Sequence, residues 1–293
     1  MKCSQFAAFP VSRVHYNEDE KGKSKQERKF GMIHFSVFSW TAGIHPAALS
    51  ALCGLAGMLI GRLLGVAAQG LLRKESLLRR FGRCPHCRLP QQARAFLPLH
   101  PRCRRCRRAL VPLSPAGELM NGAAFALLAW KLGMQPELAA ALVLACVLTT
   151  VTLTDLMSRL VPDKVILFAL LAGLLLRIWI HPLPFWNYLA AMLMGFALLY
   201  AIGWLGYILL RKESMGGGDM KLFLVIGLYM GVSPTLFALL AAIVYGAVVG
   251  LMLLAAHRTR DGAVPFVPFI YAGVMTSFLY GEAGMAWYMR LLT

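Results

Sequence analysis

The sequence predicts an all-α polytopic membrane protein with about eight transmembrane helices and one small cytosolic loop domain. Three observations carry that prediction. Of the 293 residues 58% are hydrophobic and 15% charged, with a mean hydropathy of +0.63, whereas a soluble domain carries about a quarter charged residues. Apolar runs long enough to cross about 30 Å of hydrocarbon recur along the chain. The net charge of +17 is concentrated: residues 73–108 hold twelve of the thirty Lys and Arg against a single acid, Glu75.

Four segments follow in order. Residues 1–45 form an N-terminal extension, predicted to be disordered because VHYNEDEKGKSKQERKF is hydrophilic and mixed in charge. It is not a signal peptide, since no compact apolar core follows its basic start. Residues 46–72 hold the first transmembrane helix, 73–117 a cytosolic loop, and 118–293 the remaining membrane core. Within that core the predicted spans are 118–134, 137–155, 163–180, 185–210, 220–232, 234–256 and 265–282, the sixth being the shortest of the eight. Pro136, Pro162, Pro182, Pro184, Pro234 and Pro265 fall between spans or at their ends, where a missing backbone N–H matters least.

Basic loops set the orientation. With residues 73–117 in the cytosol, later cytosolic connections hold Arg159 and Lys164, Arg211 and Lys212, and Arg258 and Arg260. GMQP, HPLP and GVSP fall on the opposite side, with Lys131 and Arg177 as nearby exceptions. The extension places seven further basic residues on the wrong side. An expectation that follows is translation from Met32 rather than Met1, and a peptide from residues 1–31 in the native protein would contradict it.

The loop contains CPHC at 84–87 and CRRC at 103–106, separated by fifteen residues. Cys84, Cys87, Cys103 and Cys106 therefore match the spacing that places four thiolates tetrahedrally around one structural Zn²⁺ in a zinc-ribbon-like loop. A reducing cytosol disfavours the alternative of two disulfides. The arginines are read as topology determinants that attract anionic lipid headgroups and offset the charge of a Zn(Cys)₄ centre. A nucleic-acid partner is not expected, because only Phe81 and Phe96 interleave the arginines as stacking platforms.

Acids are sparse in the apolar two-thirds of the chain, and two are unusual. Asp155, in TLTDLMSRLVPDKV, ends one span at its cytosolic border, seven residues before Pro162. Asp219, in RKESMGGGDMKL, begins another at that same border. Ionisable groups at the edge of the apolar layer are costly and mark function by default. Two carboxylates brought close cannot both ionise, so they share one proton between a base and an acid. The ionised member then takes a proton from water while its partner donates to a substrate carbonyl, which is aspartyl peptide hydrolysis. Each aspartate alone is as readily a boundary residue. Gly216, Gly217 and Gly218 permit backbone angles closed to other residues and leave room for an extended substrate beside Asp219.

GGGDMKLFLVIGLYMG (216–231), DLMSRLVPD (155–163), the paired cysteine knuckles, SPAGEL (114–119) and VPFVPFI (264–270) together resemble the bacterial type IV prepilin peptidases, membrane aspartyl proteases of the GxGD type. The resemblance covers about residues 55 to 280 in the right order. It implies that Asp155 and Asp219 are the catalytic pair. It also implies substrates that are type IV prepilin or pseudopilin precursors, with a short basic leader cut after a glycine at the cytosolic face of the bacterial inner membrane. Many members also methylate the new N-terminus with S-adenosylmethionine, an activity associated with the cysteine loop. This chain departs from the pattern there: only RLPQQARAFLPLHPR separates the knuckles, and GRLLGVAAQG (61–70) lacks the family's asparagine. A second reading makes the aspartates proton or cation sites of a coupled transporter, but that favours inverted repeats and acids near the midplane. No repeat is visible, and both acids lie at the edge. A third reading, a zinc-bearing scaffold without activity, conflicts with the intact pair.

Overall fold

The computed structural model describes residues 45–73, 106, 114–211, 216–255 and 265–292. The expected extension, most of the cysteine loop and the connections after Arg211 and Ala255 lie outside the described residues. Among the described residues the secondary structure is helical throughout. The helices are α1 (Pro46–Arg73), α2 (Ser114–Leu132), α3 (Pro136–Ser158), α4 (Asp163–Trp179), α5 (Phe185–Leu210), α6 (Gly217–Met230), α7 (Val232–Ala255) and α8 (Val267–Leu292). Among the described residues four segments are long and apolar enough to cross a membrane: Pro46–Leu72, Pro136–Ser158, Phe185–Ile208 and Val232–Leu253.

Local signals explain the boundaries. Pro136 occupies the first position of α3, where its fixed φ suits a helix and its missing N–H is no loss. Arg159 ends α3 in the left-handed conformation (φ 54°), with its N–H bonded to the Asp155 carbonyl. Arg211 ends α5 in the same way. Between α6 and α7 the chain reverses on Gly231 alone, at φ 83°. A side chain there would be strained by the backbone and would meet Asn187 Oδ1 at 2.6 Å. That same oxygen accepts the N–H of Val232 at 3.0 Å, satisfying one of the first free donors of α7.

The bundle is organised around α3, which touches α1, α2, α4, α6 and α8. Leu144, Leu148, Val151 and Leu153 on α3 are fully buried, as are Leu222, Phe223, Val225 and Ile226 on α6. By contrast α5 and α7 present Trp186, Leu193, Trp204, Leu251 and Met252 outward, the pattern of helices solvated by lipid rather than water. With 14 residues, α6 is about 21 Å long, too short to cross a bilayer core on its own. Its burial among α3, α4, α5 and α7 explains how so short a helix sits inside an apolar assembly. α1 and α2 approach closely along Gly57 and Gly61, so that a Cβ on Gly57 would lie 2.8 Å from the Asn121 carbonyl oxygen. A buried polar chain ties them to α3: Asn121 donates to the Gly57 carbonyl, and Thr149 donates to Asn121 Oδ1.

The orientation argument left Lys131 and Arg177 as exceptions. Lys131 is exposed. Arg177 is buried and paired with Glu137 at 2.6 Å, so it is an internal ion pair and not a loop cation.

Candidate active site

Asp155 stands in the last turn of α3, its own carbonyl taken by the Arg159 cap. An acid there faces the unfavourable end of its helix dipole. The fold offsets this with the start of another helix. Val267, the first residue of α8, directs its N–H at Asp155 Oδ2 at 3.3 Å. That N–H is one of the donors that no residue within α8 satisfies. Asp155 is 6% exposed and Val267 fully buried, so the contact is protected.

Asp219 is the third residue of α6, half-buried, with its N–H bonded to the Gly216 carbonyl at 3.1 Å. The two aspartates come from distant positions on separate helices and meet at one end of the bundle, where the start of α6 packs against the turn that follows Asp155. A direct packing contact fixes this meeting. Gly218 lies so close to the α3–α4 turn that a Cβ built on it would be 2.8 Å from both Cβ and Cγ2 of Val161. Next to it, Lys221 Nζ binds Asp163 Oδ1 at 2.7 Å, an exposed pair between α6 and α4.

The three glycines divide by environment. Gly216 is extended (φ −69°, ψ 135°), and Gly217 and Gly218 open α6. None has positive φ, so the expected need for unusual backbone angles is corrected: the backbone uses angles any residue can adopt. What remains is space. Among the described residues a Cβ on Gly217 would meet nothing within 4 Å, and one on Gly216 would meet only Asp219 Oδ2, at 3.8 Å. Gly216 and Gly217 thus border open room beside Asp219, whereas Gly218 is filled by Val161.

Sequence reasoning missed the Val267 N–H and the Val161 contact. VPFVPFI marked the first of these positions, but a backbone donor leaves no residue signature, and Val161 looks like any apolar residue. Of the four cysteines, Cys84, Cys87 and Cys103 lie outside the described residues, and Cys106 is half-buried in a turn. Among the described residues no group of three His, Cys, Asp or Glu is placed to hold a metal.

The sequence model of the type IV leader peptidase family matches residues 142–251, a range that contains both aspartates. That of the bacterial peptidase A24 N-terminal domain matches residues 55–132, which contain the cysteine loop. A prepilin leader peptidase/N-methyltransferase of Aeromonas salmonicida (strain A449) is 30% identical over 217 residues, covering 71% of this chain and 74% of that one. The chain belongs to the type IV leader peptidase family. A further relative in this family, the prepilin leader peptidase/N-methyltransferase of Bacillus subtilis (strain 168), is 28% identical over 243 residues, covering 80% of this chain and 96% of its own. One from Burkholderia pseudomallei (strain K96243), with the same name, is 30% identical over 222 residues, 73% of this chain and 72% of that one. No solved structure matches the chain. As a member of this family the chain is a peptidase, and a transport reading of the two aspartates gains no support from it.

Proposed function

We propose that the chain is a membrane aspartyl endopeptidase in which Asp155 and Asp219 form the catalytic pair. The observation that carries this is their convergence: the start of α6, which bears Asp219, packs through Gly218 against Val161 in the turn that follows Asp155, and among the described residues Gly216 and Gly217 are unobstructed beside it. Two carboxylates brought together in this way share one proton, and the protons belong to the pair and not to either residue. The ionised member removes a proton from water, and that water adds to the scissile carbonyl carbon. The protonated member gives its proton to the carbonyl oxygen, forming a tetrahedral diol. Collapse of the diol breaks the C–N bond as the nitrogen is protonated, releasing a carboxylate and a new amine. The Val267 N–H steadies Asp155 Oδ2 throughout.

The relatives named prepilin leader peptidases support substrates of the prepilin or pseudopilin precursor class: a short basic leader followed by an apolar helix. Such a helix in the bilayer delivers its leader junction to the membrane edge, at the level expected for both aspartates. In the orientation given by the basic loops this is the cytosolic face of a bacterial inner membrane, with the eight helices forming the membrane bundle, the short α6 embedded among its neighbours, and residues 73–117 as the cytosolic loop facing anionic headgroups. Cys84, Cys87, Cys103 and Cys106 would hold a structural Zn²⁺ there, their four sulfur donors suiting that ion. It would brace the loop and take no part in hydrolysis.

The same relatives' names include N-methyltransferase, which supports methylation of the new N-terminus, with S-adenosylmethionine supplying the methyl group. The mass of the processed N-terminus tests it, a gain of one methyl being the expected result and an unmodified amine the contrary one.

The peptidase itself is tested by co-expressing a pilin-type precursor with Asp155→Asn or Asp219→Asn. Asparagine keeps the shape and cannot ionise, so each variant leaves the precursor uncut. Normal processing by either variant would refute the assignment.

A further inference from the structure

Arg177 takes no part in the chemistry above, yet its guanidinium makes several polar contacts inside the bundle. It is third from the end of α4 and 3% exposed. Its Nη1 binds Glu137 Oε1 at 2.6 Å and the Ile180 carbonyl at 3.1 Å. Its Nη2 donates to the Tyr229 carbonyl, and its guanidinium carbon lies 4.4 Å from the centre of the Tyr188 ring. A planar fork of this kind fixes directions as well as charge, which a lysine cannot do.

The two outer partners are informative. Glu137 is the second residue of α3, the helix whose last turn carries Asp155. Tyr229 is the penultimate residue of α6, the helix whose first turn carries Asp219. One guanidinium therefore grips the far ends of both aspartate-bearing helices, about 15 to 27 Å along them from the carboxylates. The end of α6 that it grips is closely fitted on other sides too. The Tyr229 hydroxyl donates to the Ala169 carbonyl of α4 at 3.1 Å, and a Cβ on Gly227 would meet the Ala191 backbone of α5 at 2.5 Å. Close-packed helices move as rigid rods, so a slip at the gripped end reappears at the aspartates.

We propose that Arg177 is a positioning residue for the aspartate pair, setting the axial register of α3 against α6 by holding Glu137 and the Tyr229 carbonyl together. This rests on the reading of Asp155 and Asp219 as catalytic. The alternative is that Arg177 only balances the partly buried charge of Glu137.

The test measures kcat, KM and the thermal unfolding midpoint of the full-length protein in detergent, with a prepilin-type precursor as substrate. Arg177→Lys keeps the charge opposite Glu137 but loses the fork. Its kcat falls at least about tenfold while KM stays within about twofold, because misplaced catalytic groups slow the chemical step more than they weaken binding. The double variant Arg177→Gln/Glu137→Gln leaves no unmatched buried charge. It unfolds near the native midpoint, and kcat remains at least about tenfold down. Native kcat in either variant overturns the proposal, because charge balance alone then suffices. If the double variant fails to fold, the lysine variant decides. Asp219→Asn is run alongside. Should it cleave at the native rate, the pair reading falls and this proposal with it. Should it be inactive while the Arg177 variants are fully active, the positioning role alone falls.

Discussion

Adjacent glycines at the start of α6 should respond in opposite ways to the same substitution. In Gly218→Ala the new methyl would lie 2.8 Å from Val161 Cβ and Cγ2. Carbon atoms in contact settle at about 3.5 to 4.0 Å, so α6 and the α3–α4 turn must part by roughly 0.7 Å or more. Val161 is β-branched and short, and its own Cβ is one of the obstructing atoms, so no rotamer change relieves the contact. Overpacking of this kind costs about 1 to 3 kcal/mol, against at most about 1 kcal/mol gained by replacing a helical glycine with alanine. The displaced segment carries Asp219 on one side and follows Asp155 on the other, and misplacement by about 1 Å can slow catalysis about 100-fold. In Gly217→Ala no described residue lies within 4 Å of the new methyl, so no packing there opposes the alanine. The assay is cleavage of a prepilin-type precursor by purified enzyme, together with the thermal unfolding midpoint. Gly218→Ala should lose at least about tenfold in kcat and unfold earlier, while Gly217→Ala unfolds at or above the native midpoint. Transferring the glycine, as in Gly218→Ala/Val161→Gly, should recover much of the rate. The reasoning is refuted if Gly218→Ala cleaves normally, or if Gly217→Ala is the less stable of the two.

Other outcomes follow from the same geometry. Gly217→Leu should raise KM with little change in midpoint, since its side chain enters the space assigned to substrate; an unchanged KM would remove substrate from that space. Gly231→Ala combines a left-handed backbone with a 2.6 Å approach to Asn187 Oδ1, and should destabilise by about 2 kcal/mol or more in chemical unfolding. Lys221→Ala removes only an exposed ion pair with Asp163; exposed pairs contribute little, so midpoint and rate should stay near native. The rate of leader cleavage should pass through a maximum with pH: at low pH both carboxyls are protonated and the base is lost, at high pH both are ionised and the acid is lost. A rate rising to a plateau would mean that no such acid operates.

Much of the helix order was legible because hydropathy reports it directly. The run read as 185–210 is α5, Phe185–Leu210, and proline and glycine punctuation sets most other borders within a few residues. The run at 265–282 fell short of α8, Val267–Leu292, since a helix continues by backbone hydrogen bonding where its apolar character lapses around Glu282. Asp155 and Asp219 stood out because acids are rare in apolar sequence, and their common level followed from counting spans. Their support did not stand out. The Val267 N–H belongs to the backbone, and the fit of Gly218 against Val161 depends on how α6 meets the α3–α4 turn. Arg177 was visible only as a cation on the wrong side, because its meaning lies with Glu137, forty positions earlier. Sequence shows that a charge is present in an apolar segment; only the packed bundle shows what neutralises it.

The central claim is that Asp155 and Asp219 act as one unit. Its most direct test is the single-turnover cleavage rate of Asp155→Asn, Asp219→Asn and the double variant, each against the same precursor. Groups that work together are lost together, so the account predicts the same residual rate in all three, with no further loss in the double variant. Appreciable cleavage by either single variant, or single losses that multiply in the double, would contradict it.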